Sequence, residues 1–133
     1  MKHESFLRVR FGELDPYNHV NHAVYVAYFE AGRDEALRSA GLGLDRLADL
    51  GFQFVVTDLT VKFRRPAVGG DSLVVETWIS ELRGVTSQWR QRILRSDEVL
   101  VECELRAGST DRAGRPKRLP DEARTLLDAI IVN

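Results

Sequence analysis

The stretch FGELDPYNHVNHAVYVAYFEAGR, residues 11–33, contains a change of hydrophobic period from which the architecture of the chain follows. Its first half is rich in turn-forming residues, and Pro16 keeps the residue before it out of helical geometry. We therefore predict a loop followed by a long helix, with Asn21 as its N-cap and Gly41 as its C-cap. The helical spacing places these apolar and small side chains on one face: Tyr25, Tyr28, Phe29, Gly32, Ala36 and Ala40.

On both sides of this stretch, apolar residues alternate with polar ones, which is typical of strands with one buried face. The first strand covers residues 5–11, with Phe11 on its buried face. A longer strand covers residues 52–65, and its alternation changes parity around Thr57 and Asp58, which indicates a β-bulge or a change of buried face. Three more strands carry alternating apolar positions at residues 73–79, 85–93 and 99–107.

The order of these elements predicts the fold class. The late strands are joined by short turns, so they pair antiparallel, and the apolar face of the long helix needs that sheet to cover it. Short helices are expected at residues 44–50 and after Pro120. We predict a single α+β domain over residues 1–133, in which a curved antiparallel sheet of about five strands wraps around one long helix.

Composition narrows the possible partners and location. The 133 residues include 19 basic and 20 acidic side chains, so no strong positive field exists and we expect no nucleic-acid binding. No apolar run approaches the roughly 20 residues of a membrane span, and the first residues do not resemble a signal peptide. With Cys103 as the single cysteine, no internal disulfide can form. These features predict a cytoplasmic protein without a membrane partner.

The densest group of polar residues lies between the first strand and the helix. Its members are Glu13, Asp15, Tyr17, Asn18, His19, Asn21, His22 and Tyr25. A helix start offers unpaired N–H groups that can polarise a carbonyl, and a carboxylate beside it can act as nucleophile or general base. This combination suits acyl transfer, although the same residue types also form ordinary turns. The histidine spacing differs from that of zinc-binding helices, so we predict no metal site.

This stretch resembles the signature of the 4-hydroxybenzoyl-CoA thioesterase-like branch of the hotdog-fold acyl-CoA thioesterases. A second match is VKFRRPAVGGD, residues 61–71, and the resemblance extends over about residues 5–110, leaving a C-terminal loop and short helix in 111–133. The resemblance implies the hotdog fold and hydrolysis of a small-to-medium acyl-CoA thioester to free acid and CoA. It implies no cofactor, because coenzyme A is part of the substrate.

The resemblance also assigns catalytic roles. Asp15 corresponds to the catalytic carboxylate of the family, and Glu13 replaces the first acid of its Asp-x-Asp motif. His22 occupies the position whose backbone N–H polarises the thioester carbonyl, and with Tyr25 it matches the His-x-x-Tyr of the Tol-Pal-associated thioesterases. Asp15 would either attack the carbonyl directly or activate a water. The loop combines features of several subgroups, which leaves the acyl group open.

Further residues are candidates for substrate binding. Asn18, His19 and Asn21 belong to the same loop, and Thr57 lies where the strand pattern breaks. Arginine forks recognise phosphates well, so the phosphates of CoA have candidate partners in Arg64, Arg65 and Arg83. Arg83 corresponds to a family position that contacts the nucleotide end of CoA.

Two questions of function and assembly follow. A non-catalytic acyl-CoA-binding or regulatory module is the alternative to an enzyme, and Asp15 separates the two, because a binding module needs no carboxylate at the carbonyl. An exposed edge strand is usually paired or covered. Because members of the family build each site between two protomers, we expect a homodimer at least, with a homotetramer as the alternative.

Overall fold

The computed structural model describes residues 1–133, and its sheet contains five antiparallel strands in the order β1-β3-β4-β5-β2. The elements are β1 His3–Arg8, α1 His22–Ser39, α2 Leu44–Leu50, β2 Gln53–Phe63, β3 Ser72–Arg83, β4 Thr86–Arg95, β5 Glu98–Thr110 and α3 Asp121–Leu127. Short 3₁₀ turns occupy Phe11–Glu13 and Asp128–Ile130. The predicted α+β architecture is therefore confirmed. None of the helices combines the length and apolar character needed to cross a bilayer.

The long helix α1 begins and ends near the predicted positions. The Asn21 side chain accepts a hydrogen bond of 2.9 Å from the Ala23 N–H, which caps the first turn. Gly41 follows the last turn with a φ of +86°, a conformation that glycine adopts without steric cost. The helix also approaches the sheet closely, since a Cβ at Gly32 would lie 2.7 Å from Val75 Cγ1. Small residues on this face therefore let α1 sit against β3.

The core lies between α1 and the inner face of the three central strands. Leu73, Val75 and Ile79 of β3 are fully buried there, as are Trp89 and Ile93 of β4. Thr77 and Gln91 share this inner face and are also buried, while the residues that alternate with the buried ones are more exposed, as the alternation predicts. The central strands therefore supply a rigid surface on which α1 rests.

The first strand begins two residues earlier and ends three residues earlier than the predicted 5–11. β1 ends at Arg8, and Phe11, predicted to be buried, is 92% exposed in a 3₁₀ turn. The physical reason is the pairing register, because Arg8 pairs with Ser72, where β3 begins, so later residues have no neighbouring strand. The chain then turns and starts the loop to α1.

The long strand β2 has the predicted bulge but not the predicted burial. The register shifts between Val56 and Asp58, next to Thr57. Phe54 and Val61 are partly buried, but Val56, Leu59 and Phe63, where alternation predicts a buried face, remain 39–47% exposed. β2 pairs only with β5, so its second edge and much of its surface are uncovered. An isolated chain thus leaves an apolar edge strand open to a partner.

Candidate active site

The loop between β1 and α1 holds the Asp15 carboxylate in one orientation. Its Oδ1 accepts hydrogen bonds from the N–H groups of Tyr17, at 2.8 Å, and His19, at 3.0 Å. The Asp15 N–H in turn donates to the His19 carbonyl at 2.7 Å. Oδ2 makes no hydrogen bond within the chain, so one carboxylate oxygen fixes the side chain and the other is available for chemistry.

Local sequence explains why the loop closes in this way. Asn18 has a φ of +65°, a left-handed conformation that asparagine tolerates better than most residues, and its N–H donates to the Asp15 carbonyl at 3.1 Å. Gly69 lies against the Asn18 side chain, and a Cβ there would come within 3.0 Å of it. The Val20 N–H donates to the Ala67 carbonyl at 2.9 Å, which attaches the loop to the segment after β2.

A polar cavity of about 260 Å³ opens beside this loop, and we call it the catalytic cavity. It is lined by Asp15, His19, Val20, His22, Tyr25, Phe63, Arg64, Arg65 and Pro66. Six residues singled out in the sequence are thus brought together in one place, although the loop and the end of β2 lie more than 40 residues apart in the chain.

The start of α1 presents an unpaired donor to this cavity. His22 is the first helical residue, and its N–H has no acceptor within the chain, whereas the next N–H is capped by Asn21. No acidic residue lies in the first turn to offset the positive end of the helix dipole. The cavity therefore combines a free carboxylate oxygen with a free N–H at a helix N-terminus.

Tyr25 lines the catalytic cavity with a largely buried side chain. Its ring is buried, and its hydroxyl accepts a hydrogen bond of 2.9 Å from the Ala67 N–H. Burial raises the pKa of the Tyr25 phenol, and the negative charge of Asp15 acts in the same direction. The phenol therefore stays protonated near neutral pH, and its hydrogen has no acceptor within the chain. Tyr25 is thus both an anchor and a neutral donor.

Three lining residues were not identified as site residues from the sequence, namely Val20, Phe63 and Pro66, and Phe63 is the aromatic one among them. Phe63, the last residue of β2, places its ring 4.9 Å from that of His22, edge to face, and 5.6 Å from that of Tyr25. The sequence pattern shows it only as an apolar strand position. The sequence feature that could have indicated a role at the site is its position directly before the Arg64-Arg65-Pro66 segment, which lines the same cavity.

The two arginines at the rim are held by the neighbouring strand. The backbone N–H groups of Arg64 and Arg65 both donate to the Leu100 carbonyl, at 2.8 and 3.0 Å. Their guanidinium groups pair with Glu102 at 2.8 Å and with Glu98 at 3.1 Å. The rim is therefore lined with arginine heads that remain largely exposed to solvent.

The remaining predicted residues lie outside the catalytic cavity of the same chain. Asn18 and Asn21 shape the loop and cap the helix. Thr57 lies at the bulge, where its hydroxyl donates to the Arg106 carbonyl at 3.3 Å. Arg83 ends β3, is strongly exposed and pairs with Glu81 at 2.7 Å. Substrate-binding roles for these four residues remain predictions.

A larger apolar cavity of about 640 Å³ lies between α1, α2 and the inner face of the sheet, and we call it the apolar cavity. Its lining includes Ala27, Leu47, Phe54, Val56, Trp89 and Leu105. Arg33 also lines it and donates to Gln91 Oε1 at 3.0 Å. Partial burial lowers the pKa of the Arg33 guanidinium. No sequence pattern indicated this cavity, because its walls come from five separate elements.

Comparisons with known proteins identify the family. The model of the Thioesterase superfamily matches residues 17–102. The chain is 35% identical over 125 residues to the acyl-acyl carrier protein thioesterase ATL3 of Arabidopsis thaliana, covering 92% of this chain and 66%, just under two thirds, of that protein. It is 33% identical over 116 residues to the acyl-CoA thioester hydrolase YbgC of Escherichia coli O157:H7, covering 86% of this chain and 87% of that one.

Solved structures agree with the sequence relatives. A probable thioesterase from Bartonella henselae is 33% identical and superimposes with a TM-score of 0.86, covering 90% of this chain and 100% of that one. The sheet wrapped on α1 is the hotdog fold, as the resemblance implies. The matched residues 17–102 include most of the catalytic cavity, from His19 to Pro66. The chain therefore belongs to the thioesterase superfamily.

Proposed function

We propose that this chain hydrolyses small-to-medium acyl-CoA thioesters to a free acid and CoA. One observation carries the proposal: Asp15, whose Oδ2 is free, and His22, whose N–H is unpaired, line one cavity at the positive end of α1. We also propose that the chain belongs to the 4-hydroxybenzoyl-CoA thioesterase-like branch, with features of the Tol-Pal-associated enzymes. The loop signature from Asp15 to Tyr25 supports that assignment.

The proposed reaction uses both the His22 N–H and the Asp15 carboxylate. The thioester carbonyl oxygen accepts a hydrogen bond from the His22 N–H, which stabilises the negative charge that develops on it. In one route, Asp15 Oδ2 attacks the carbonyl carbon, CoA leaves as a thiolate, and water hydrolyses the resulting mixed anhydride. In the other route, Asp15 takes a proton from a water that attacks directly. Rapid acid quenching followed by mass spectrometry of the Asp15 peptide distinguishes the routes, because only the first forms an acyl-enzyme.

The acyl group needs more room than the catalytic cavity provides. Its volume of about 260 Å³ lies below the roughly 300–1,000 Å³ of ordinary ligand pockets, whereas the apolar cavity lies within that range. Within one chain, Val56 of the apolar cavity and Phe63 of the catalytic cavity are seven residues apart on β2, which is about 23 Å of strand. That separation exceeds the reach of a small-to-medium acyl chain.

A homodimer formed through β2 would remove this gap. The exposed edge of β2 can pair antiparallel with a second copy about a two-fold axis, which sets the start of one strand against the end of the other. The start of β2 lines the apolar cavity and its end lines the catalytic cavity. We propose that each acyl group reaches from one subunit's Asp15 into the apolar cavity of its partner.

The same pairing gives Arg83 and Thr57 a place near the substrate. The strand registers align Arg83 with Thr86, Thr86 with Gly108, and Gly108 with Val55, so Arg83 lies at the end of the sheet where β2 begins. In the proposed dimer that end faces the catalytic cavity of the other subunit. Arg83 would then contact the CoA phosphates together with Arg64 and Arg65, and Thr57 would lie close to the two-fold axis.

A substrate panel tests the proposed function. Purified wild-type protein is assayed with acetyl-, hexanoyl-, decanoyl-, palmitoyl- and benzoyl-CoA, and with decanoyl-acyl carrier protein, by following thiol release. We expect the highest kcat/KM with a CoA ester of small or medium chain. Hydrolysis of the carrier-protein ester alone would assign a different carrier. Tight CoA binding measured by calorimetry, without hydrolysis of any ester, would establish the binding module instead.

A further inference from the structure

Glu13, the acid two residues before Asp15, is bonded to the helix rather than left free. Its Oε1 accepts a hydrogen bond of 2.7 Å from the Tyr28 hydroxyl and another of 2.8 Å from the Arg10 N–H. The Glu13 carbonyl also accepts from the Asn21 N–H at 2.9 Å. One residue therefore joins the start of the loop, the end of the loop and the buried face of α1.

Tyr28 is a firm anchor for this contact. It is only 6% exposed, and its ring packs edge to face on Tyr25 at 6.2 Å between centroids. Burial and the hydrogen bond to Glu13 both raise the pKa of the Tyr28 phenol, so it remains protonated and a donor near neutral pH. Hydrogen bonds to an ionised acceptor are about twice as strong as neutral ones.

Each of the two acids accepts two hydrogen bonds on one carboxylate oxygen and leaves the other oxygen unbonded, but their partners and positions differ. Glu13 accepts from the Tyr28 hydroxyl of α1 and does not line the catalytic cavity, whereas Asp15 accepts only from N–H groups of its own loop and lines that cavity. The loop from Leu14 to Val20 is attached on one side through Glu13 and on the other through the bond from Val20 to Ala67. Without the first attachment, the position of Asp15 relative to the His22 N–H loses its direct link to α1.

We propose that Glu13 is a positioning residue, which holds the Asp15 loop against α1 through the Tyr28 hydroxyl and thereby sets the geometry of attack on the thioester. This inference rests on the proposed catalytic role of Asp15. Glu13 acts as a hydrogen-bond acceptor, and its negative charge takes no part in proton transfer. A misplacement of a catalytic group by about 1 Å can cost on the order of 10²-fold in rate, so the attachment matters for turnover more than for binding.

Three variants and one control test the proposal kinetically. Glu13→Ala removes the acceptor, Glu13→Gln keeps an acceptor oxygen without the charge, and Tyr28→Phe removes the donor. Glu4→Ala, at an exposed position of β1 without side-chain bonds, is the control. We expect kcat to fall about 10- to 100-fold in Glu13→Ala and about 5- to 10-fold in Tyr28→Phe, with KM within about twofold. Glu13→Gln should recover kcat to within about threefold of wild type, and Glu4→Ala should match it.

An activity-independent measurement accompanies the kinetics. Hydrogen exchange of the amides in residues 14–20 should become faster in Glu13→Ala and Tyr28→Phe and remain slow in Glu13→Gln. If Glu13→Gln is as inactive as Glu13→Ala while its loop stays protected, the charge itself takes part and the proposal is wrong. Unchanged kcat and exchange in Glu13→Ala would also overturn it. If Asp15→Asn proves fully active, the proposed catalytic role of Asp15 fails, while the exchange data still decide whether Glu13 holds the loop.

Discussion

The catalytic cavity and the apolar cavity share α1 and β2 but are built on different physical principles. The catalytic cavity depends on backbone hydrogen bonds of 2.7–3.1 Å within the loop that presents Asp15. The apolar cavity depends on side-chain volume, with ten hydrophobic residues among its fourteen. The first needs geometry that a single lost bond can disturb, while the second needs space, which several different residues could supply. In the proposed function, the chemistry and the selection of the acyl group therefore belong to parts of the molecule that mutation can separate.

The largest expected effect is a loss of kcat when the Asp15 carboxylate is replaced by an amide. Asp15→Asn keeps the size of the side chain but removes the charge and the basic oxygen, so we expect kcat to fall by about 10³-fold or more for every chain length. Asp49→Asn, on an exposed position of α2 outside the lining of the apolar cavity, is the matched control and should keep full activity. Steady-state kinetics with acetyl- and decanoyl-CoA provide the measurement. Activity in Asp15→Asn would remove Asp15 from the mechanism.

The second prediction tests whether activity requires a dimer in which the two cavities of one site come from different chains. Leu59→Lys places a charge on the open edge of β2, where a lysine discourages strand pairing. We expect the particle mass in light scattering to fall from two chains to one and kcat/KM to drop about 10²-fold. Glu4→Lys makes a similar change on β1, the other edge strand, and should leave mass and activity unchanged. A fully active monomer would show that one chain holds a complete site.

A smaller effect is expected from filling the apolar cavity. Ala27 lies on an exposed part of α1 and lines this cavity, so Ala27→Leu takes up acyl space without disturbing the core. We expect kcat/KM for decanoyl-CoA to fall about 10-fold and that for acetyl-CoA to change less than about twofold. Ala113→Leu, in the exposed loop after β5, controls for the added side chain. Equal losses for both substrates would place the acyl group elsewhere.

The smallest expected effect is on the free energy of unfolding, and it concerns Asp71 in the segment between β2 and β3 that supports the catalytic cavity. Asp71 Oδ2 accepts from the Val68 N–H at 2.9 Å and pairs with Arg95 at 2.8 Å. Partial burial acts to raise the pKa of Asp71, but these two donors outweigh it and lower the pKa below its ordinary value of 3.8. A carboxyl whose pKa is lowered by folding stabilises the native state above that ordinary value, and this contribution disappears as the pH falls through the folded-state pKa.

Asp71→Asn should therefore reduce the free energy of unfolding by about 1–2 kcal/mol at neutral pH, because a charge-assisted bond is lost. The difference from wild type should shrink as the pH is lowered below 3.8. Urea unfolding at several pH values measures it. A difference that stays constant down to acid pH would mean that the ionised carboxylate is not the source of the stabilisation.

Much of the fold could be predicted from hydrophobic periodicity. The period of α1 and its Asn21 cap were visible in the sequence, as were the central strands and the bulge beside Thr57. The end of β1 was not, because Phe11 continues the alternation and only the start of β3 at Ser72 decides where pairing stops. The exposure of β2 could not be predicted either, since an edge strand and a central strand can have the same alternation of apolar and polar residues.

The candidate site divides in the same way. Asp15, His22 and Tyr25 lie within eleven residues of one another, so local patterns were sufficient to select them. Neither the place of Phe63 in the site nor the apolar cavity could be predicted from the sequence, because the residues that surround them are distant in the chain. Glu13 belongs to the sequence motif, but its proposed role depends on a hydrogen bond from Tyr28 of α1, which lies 15 residues further along the chain.

By itself, the sequence determined the element types, the antiparallel sheet with one long helix, and the loop that carries the acid. Those features arise from interactions between near neighbours, such as helical spacing, capping and turn geometry, which are encoded locally. Only the tertiary structure decided which oxygen of Asp15 is free, which N–H at the start of α1 is unpaired, and which strand is left open. These properties depend on where every other donor, acceptor and edge finds its partner, and that is settled only when distant segments pack together.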